Sequence, residues 1–225
     1  MRQGSAPLKL IKAGRLIDGL GGPPRERMAL LIEGSRIRAV GPEESLVPPE
    51  GAAVVEYNFP DQTVLPGMVD AHTHINGFGD GRSGDELAQM PDDILLLQSA
   101  RNARVALQSG VTTIRENGPK GRTALSLKEG IRMGIVPGPR MVVCGRPMVG
   151  GGAGVGAGAT ATGGTTRTSF PLLPSYNVDE LEAIVEEAHK FGKLTAAHCV
   201  STQGIINCLD AGVDMIIHCT FREPD

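Results

Sequence analysis

From Asp92 to His218 the chain alternates short, β-branched, strand-like runs with amphipathic helical segments, and this rhythm limits the folds open to it. The run 92–108 carries Ile94, Leu95, Leu97, Val105 and Leu107 on one face and stops at Gly110, which predicts a helix. Val111–Arg115 reads as a strand, Thr123–Met133 as a helix closed by Gly134, and Arg140–Cys144 as a strand. After a glycine-rich stretch, Val178–Phe191 predicts a helix with Asn177 as N-cap and Gly192 as C-cap. Leu194–His198 (strand), Thr202–Ala211 (helix) and Val213–His218 (strand) follow. Strand–helix alternation implies a parallel sheet with helical crossovers, as in a (β/α) barrel or a doubly wound sheet.

The first 65 residues have a different texture. Leu8–Ile11, Met28–Glu33, Arg36–Val40 and Ala53–Phe59 are strand-like and separated by Gly- and Pro-rich turns, which predicts a small antiparallel sheet or sandwich. Thr63–Asp70 reads as one further strand. The expected division is 1–65 as a β segment and 66–225 as the strand–helix domain.

Composition excludes several function classes. A net charge of −3 and 3% aromatic residues without tryptophan give no footprint for nucleic acid or an anionic membrane. No apolar run approaches the roughly 18 residues that span a bilayer, and Met1–Leu10 has no signal-type apolar core. Four scattered cysteines (Cys144, Cys199, Cys208, Cys219) without a CxxC pair fit a reducing compartment, and a cytoplasmic location is expected. Cys199 and Cys219 each follow a histidine, so they either line a site or fill space as small buried hydrophobes.

The histidines carry the chemistry. Of five, His72, His74, His198 and His218 sit at or just past the C-terminal ends of strand-like runs, where α/β folds place their ligand sites. His72 and His74 are two residues apart, so a strand would point both rings to one side. A curling sheet would bring all four to one rim, and imidazole is the commonest side-chain ligand of zinc-class ions. His189, beside Lys190 on a helical run, reads as a surface residue. Asp70 reads either as an orienting group behind the metal site or as a strand-end hydrogen-bonding residue, and Glu116 as an ion-pair or rim partner beside Arg115. Gly154–Ala159 formally matches GxGxxA but lacks a preceding strand and a following helix, so it is read as a loop and not as a dinucleotide site.

Val64-Leu65-Pro66-Gly67-Met68-Val69-Asp70-Ala71-His72-Thr73-His74 resembles the first barrel strand of the amidohydrolase superfamily, with its HxH pair behind an LPG-type turn. Gly110–Glu116 resembles that family's second strand, and Ala196–His198 and Ile216–His218 its fifth and sixth, each of which gives one metal ligand. The nearest branch is that of the imidazolonepropionase-like and Xaa-Pro dipeptidase-like hydrolases. The resemblance implies an α/β fold, namely an incomplete TIM-like (β/α) barrel with a small N-terminal β-sandwich segment. It implies one or two divalent ions, zinc the expected one, held by His72, His74, His198 and His218. It further implies a metal-dependent hydrolase that uses metal-activated water to cleave a carbon–nitrogen bond in a small amide, dipeptide or carbamate, working as a homo-oligomer or with a partner chain.

The chain departs from the family pattern in three places. No lysine precedes Ala161-Thr162-Gly163-Gly164, where two-metal members carry a carbamylated lysine, and the spacing from Gly145 looks short by about one strand–helix unit. No residue answers to the aspartate of the family's last strand, and Asp225 lies too close behind His218 to be it. The strands that complete the family's sandwich have no counterpart, which would leave an unpaired sheet edge. No catalytic acid or base is therefore assigned. The competing reading is a catalytically incomplete metal-binding fragment or subunit that needs a partner chain.

Overall fold

The computed structural model describes residues 7–80, 84–144, 148–149, 158–162 and 170–223. The chain forms two compact units, 1–67 and 68–225.

The first unit is one four-stranded sheet built from β1 (Leu8–Leu16), β2 (Arg25–Glu33), β3 (Arg36–Pro42) and β4 (Val54–Val64), in the order β3-β2-β1-β4. The expected antiparallel pairing holds for β1–β2 and β2–β3, but β1 pairs with β4 in parallel, so the sheet is mixed. Parallel neighbours need a long connection, and the segment between β3 and β4 supplies it with strongly turn-forming residues around Pro48-Pro49. Apolar side chains are buried on both faces. Leu8, Leu10, Ala29 and Leu31 form one cluster, and Leu16, Met28 and Leu30 form another.

The β1–β4 ladder is interrupted where Ala13 pairs with Phe59 but Arg15 pairs with Thr63, a bulge that contains Pro60. Proline has no N–H to give to a ladder, so an edge-strand bulge is one of the few strand positions open to it. Gly14 lies across from it, and a Cβ there would sit 1.9 Å from the Pro60 carbonyl oxygen.

The second unit carries the expected alternation. β5 (Met68–Thr73), α1 (Gly84–Gln89), α2 (Asp92–Gln108), β6 (Val111–Glu116), α3 (Thr123–Arg132) and β7 (Arg140–Val143) come first. They are followed by β8 (Met148–Val149), β9 (Gly158–Thr160), α4 (Val178–Lys190), β10 (Ala196–Ser201), α5 (Thr202–Asp210) and β11 (Ile216–Arg222). All strand pairs here are parallel, in two sheets ordered β5-β6-β7 and β11-β10-β9-β8. The strand-like run Thr63–Asp70 is not one strand. It breaks at Leu65-Pro66-Gly67, where the chain passes from one unit to the other. Of the glycine-rich stretch only 158–162 is described, so most of the GxGxxA match lies outside the described residues.

Local chemistry sets the helix ends. Asn177 accepts the Glu180 N–H (2.9 Å) while the Glu180 carboxylate accepts the Asn177 N–H (2.9 Å), a reciprocal capping box at the start of α4. Ser201 ends β10 and caps α5 through the Gly204 N–H (3.2 Å), so strand passes to helix without a loop. Helices α2 and α3 pack on β6 and β7 around Ile114, Leu127 and Met141. Helices α4 and α5 pack on β10 around Leu181, Ala197, Cys199 and Ile205. No helix among the described residues is long and apolar enough to cross a membrane.

The bulge gives a direct test. Gly14→Ala drives a methyl into the Pro60 carbonyl and is expected to cost about 1–3 kcal/mol in a urea unfolding curve. Gly22→Ala, where a Cβ meets nothing within 4 Å, is expected to leave stability unchanged.

Candidate metal centre

His72 lies on β5 one residue before its end, and His74 one residue past it. Their Nε2 atoms are 3.2 Å apart, with ring centroids at 4.9 Å. Parallel pairing of β10 with β11 sets His198 opposite Ile217 and Cys199 opposite His218, so the two histidines stand on neighbouring rungs. Their ring centroids are 4.7 Å apart. His72 and His218 meet at 5.0 Å, although their strands belong to different sheets. The four rings thus form one edge-to-face series from His74 through His72 and His218 to His198. The backbone is forced at this point, since His218, Cys219 and Phe221 take positive φ values of 70°, 50° and 51°. Such conformations cost non-glycine residues of order 1–3 kcal/mol each and persist only where surrounding packing holds them.

Crowding decides the charge state of the pair on β5. Burial, followed by the neighbouring His74, His218 and His198 rings and Arg115, lowers the His72 pKa to about 4. Burial and His218 lower that of His74 as well, although the residue as a whole is exposed. Both imidazoles are therefore neutral at pH 7, the form that donates a lone pair to a cation. His72 Nδ1 is buried and has no hydrogen-bond partner among the described residues. The 3.2 Å between the two Nε2 atoms is close to the ~3.3 Å separating two ligand nitrogens on a tetrahedral zinc ion. Neutral imidazoles with an orphaned buried nitrogen are the donor chemistry of a zinc-class ion, and on that ground these residues fit one. Among the described residues, no three His, Cys, Asp or Glu side chains are arranged around a common point as a finished ion site.

Residues near the series decide between readings the sequence left open, and one of them is a correction. Asp70 accepts the backbone N–H of His72 (3.1 Å), which makes it a strand-end hydrogen-bonding residue and leaves both rings untouched. Glu116 is not an ion-pair partner of Arg115. Its side chain is fully buried, and its two oxygens accept the backbone N–H groups of Ile75 (2.5 Å) and Gly118 (2.9 Å). Burial outweighs those bonds and pushes its carboxyl up to about 7. Asn76 and Asn102, which the sequence did not single out, hold the same turn. Asn76 bonds Ser99, Thr123 and the Lys120 N–H, and Asn102 donates to the Ile75 and Gly77 carbonyls. Cys199 takes the opposite face of β10 from His198 and is buried among Leu181, Ile205 and Cys208, and Cys219 packs against that cluster. His189 is an exposed residue bonded to Asp214 (2.9 Å). The Thr195 N–H, His189 and the Thr195 hydroxyl together hold the Asp214 carboxyl below the usual range.

Comparison with known proteins settles the family. The profile of the amidohydrolase family matches residues 63–224, well over half of the chain. The chain belongs to the amidohydrolase family. The chain is 32% identical over 125 residues to the imidazolonepropionase of Paracoccus denitrificans, covering 49% of the chain and 30% of that protein. It is 29% identical over 155 residues to the imidazolonepropionase of Symbiobacterium thermophilum, covering 57% of the chain and 36% of that protein. Its fold matches a crystal structure of a Xaa-Pro dipeptidase with bound methionine at a TM-score of 0.76 and 24% identity, over 96% of this chain and 62% of that one. The chain thus spans about a third of the curated relatives it matches. Two imidazolonepropionases in sequence, and a Xaa-Pro dipeptidase in fold alone, are thus among the proteins the chain resembles.

The neutral pair makes the amidohydrolase acid-sensitive in a specific way. His72 takes a proton in the unfolded chain near its ordinary 6.5 but in the folded chain only near 4. Between these values the unfolded state binds more protons, so the His72 contribution to stability falls as pH falls. The Tm of the metal-free wild type minus that of His72→Ala is expected to shrink from pH 6.5 to 4 and to stay level above pH 7. A difference that stays flat across the acid range would contradict the lowered pKa.

Proposed function

We propose that His72, His74, His198 and His218 hold one or two divalent ions, zinc the expected one, and that the chain hydrolyses a carbon–nitrogen bond in a small amide, dipeptide or carbamate-like substrate. The observation that carries this reading is the series of four imidazoles, drawn from three parallel strands, with His72 and His74 kept neutral by burial and mutual repulsion. A bound ion of this class lowers the pKa of water toward neutrality and polarises a carbonyl oxygen. His72 and His74 supply lone pairs without first losing a proton. His74 is an exposed residue, which supports access of a small molecule from solvent to this end of the series. Glu116 is not the proton carrier, because both its oxygens are committed to backbone N–H groups. In this reading residues 66–225 form an incomplete (β/α) barrel, and residues 1–65 contribute to a composite β-sandwich.

A second reading treats the chain as a metal-binding subunit that works only with a partner chain or a second copy. It is favoured by β5, which lies at the edge of its sheet with Met68 51% and Val69 67% exposed. Such an edge is a template for further pairing.

Elemental analysis of the purified chain beside a His72→Ala/His74→Ala variant tests the metal reading. The expected result is about one equivalent or more of zinc, manganese or iron, lost in the double variant. A folded wild-type chain that carries no metal and takes none up would refute it. With metal bound, release of amine from dipeptides and N-acyl amino acids by the chain alone separates the enzyme from the partner-dependent subunit.

A further inference from the structure

We infer that Glu116, acting with Asn102, is a positioning residue for the His72–His74 ligand pair, because the two side chains fix both backbone polar groups of the residue that follows His74. The inference rests on the metal reading of those histidines. The parallel ladder between β5 and β6 ends where Thr73 pairs with Glu116 and the Asn117 N–H donates to the Thr73 carbonyl (3.1 Å). Past that point no strand among the described residues pairs with Ile75. The Glu116 carboxylate takes over and accepts the Ile75 N–H on one oxygen and the Gly118 N–H on the other. On the far side of Ile75, its carbonyl accepts from Asn102 Nδ2 (2.9 Å), which also donates to the Gly77 carbonyl (2.6 Å).

The turn is pinned elsewhere as well. The Gly77 N–H returns to the His74 carbonyl (3.0 Å), Asn76 is held by Ser99, Thr123 and Lys120, and the Ile75 side chain is buried beside Ala103 and Ile114. A carboxylate buried without a cation is an expensive group to keep. Here it fixes Ile75 within a turn, 74–77, that begins with a proposed ligand. Second-layer groups of this kind orient ligands and are worth about 10–100-fold in metal affinity when lost.

The test is a Co2+ titration of the full chain, followed by its visible ligand-field band and by competition with a chelator. The wild type, His72→Ala/His74→Ala, Glu116→Ala, Glu116→Gln and Asn102→Ala are compared, with circular dichroism and Tm recorded for each. The wild type is expected to show the band and the double histidine variant to lose it. Folded Glu116→Ala is expected to bind Co2+ about 10–100-fold more weakly with a shifted band. Glu116→Gln, which keeps an acceptor for the Ile75 N–H, is expected to recover most of that loss. If Glu116→Ala does not fold, Asn102→Ala carries the test, because it frees the same residue, Ile75, at its carbonyl and lies at a half-buried position.

Wild-type affinity and band in folded Glu116→Ala, or in folded Asn102→Ala if the former does not fold, would overturn the positioning role while leaving the metal reading intact. So would a Glu116→Gln variant as weak as Glu116→Ala. A wild type with no band would overturn the metal reading, and the positioning role with it.

Discussion

Parallel strand pairing is the constraint from which the second unit follows. Parallel neighbours cannot be joined by a tight turn, so each return to the sheet needs a crossover, and among the described residues helices α2, α3, α4 and α5 lie in those crossovers. A crossover returns every strand in the same direction, which places every C-terminal strand end on the same side. Histidines far apart in the chain, at 72, 74, 198 and 218, can meet only because of this shared direction. Their meeting then sets the electrostatics. His72 and His74, packed into this series and partly buried, are held below the usual imidazole range, so the fold that gathers the rings also discharges that pair.

How much of this was legible in the sequence depends on the range of the interaction concerned. Helix α2 was readable to the residue because periodic leucines and the following Ser109-Gly110 are local signals. The Asn177 cap was readable for the same reason, as was the gathering of the histidines, because their position after each strand is a local feature repeated on a common topology. The parallel pairing of β1 with β4 was not readable, because the choice of partner depends on burial across some forty residues. The split of Thr63–Asp70 was hidden because Val64 and Met68 look alike as strand formers, while only Pro66-Gly67 between them marks the change of unit.

For Glu116 the sequence left an ion pair with Arg115 and a hydrogen-bonding role both open, and the ion pair fails for a physical reason. Next to Arg115, an acid at a strand end has an obvious partner in sequence. Adjacent strand residues point to opposite faces, however, so Arg115 and Glu116 could not both face one place. Alternation alone argued against the pair. What sequence could not supply was the destination of the carboxylate, a peptide N–H 41 residues earlier in the chain.

The two-faced burial of β2 has a consequence for how the first unit finds its pairing. In most half-buried strands a shift by one residue turns every apolar side chain toward water, and hydrophobicity alone forbids it. Met28, Ala29, Leu30 and Leu31 are all buried in succession, so a slipped β2 would still present apolar groups to both faces. The burden of alignment then moves to the two-residue connection Gly34-Ser35, where Gly34 takes a φ of +58°, and to the fixed offset at Pro60. This unit should therefore accept conservative apolar exchange along β2 yet resist a single inserted residue at the 34–35 corner. Its alignment is kept by geometry at the ends of strands and not by the oiliness of their middles.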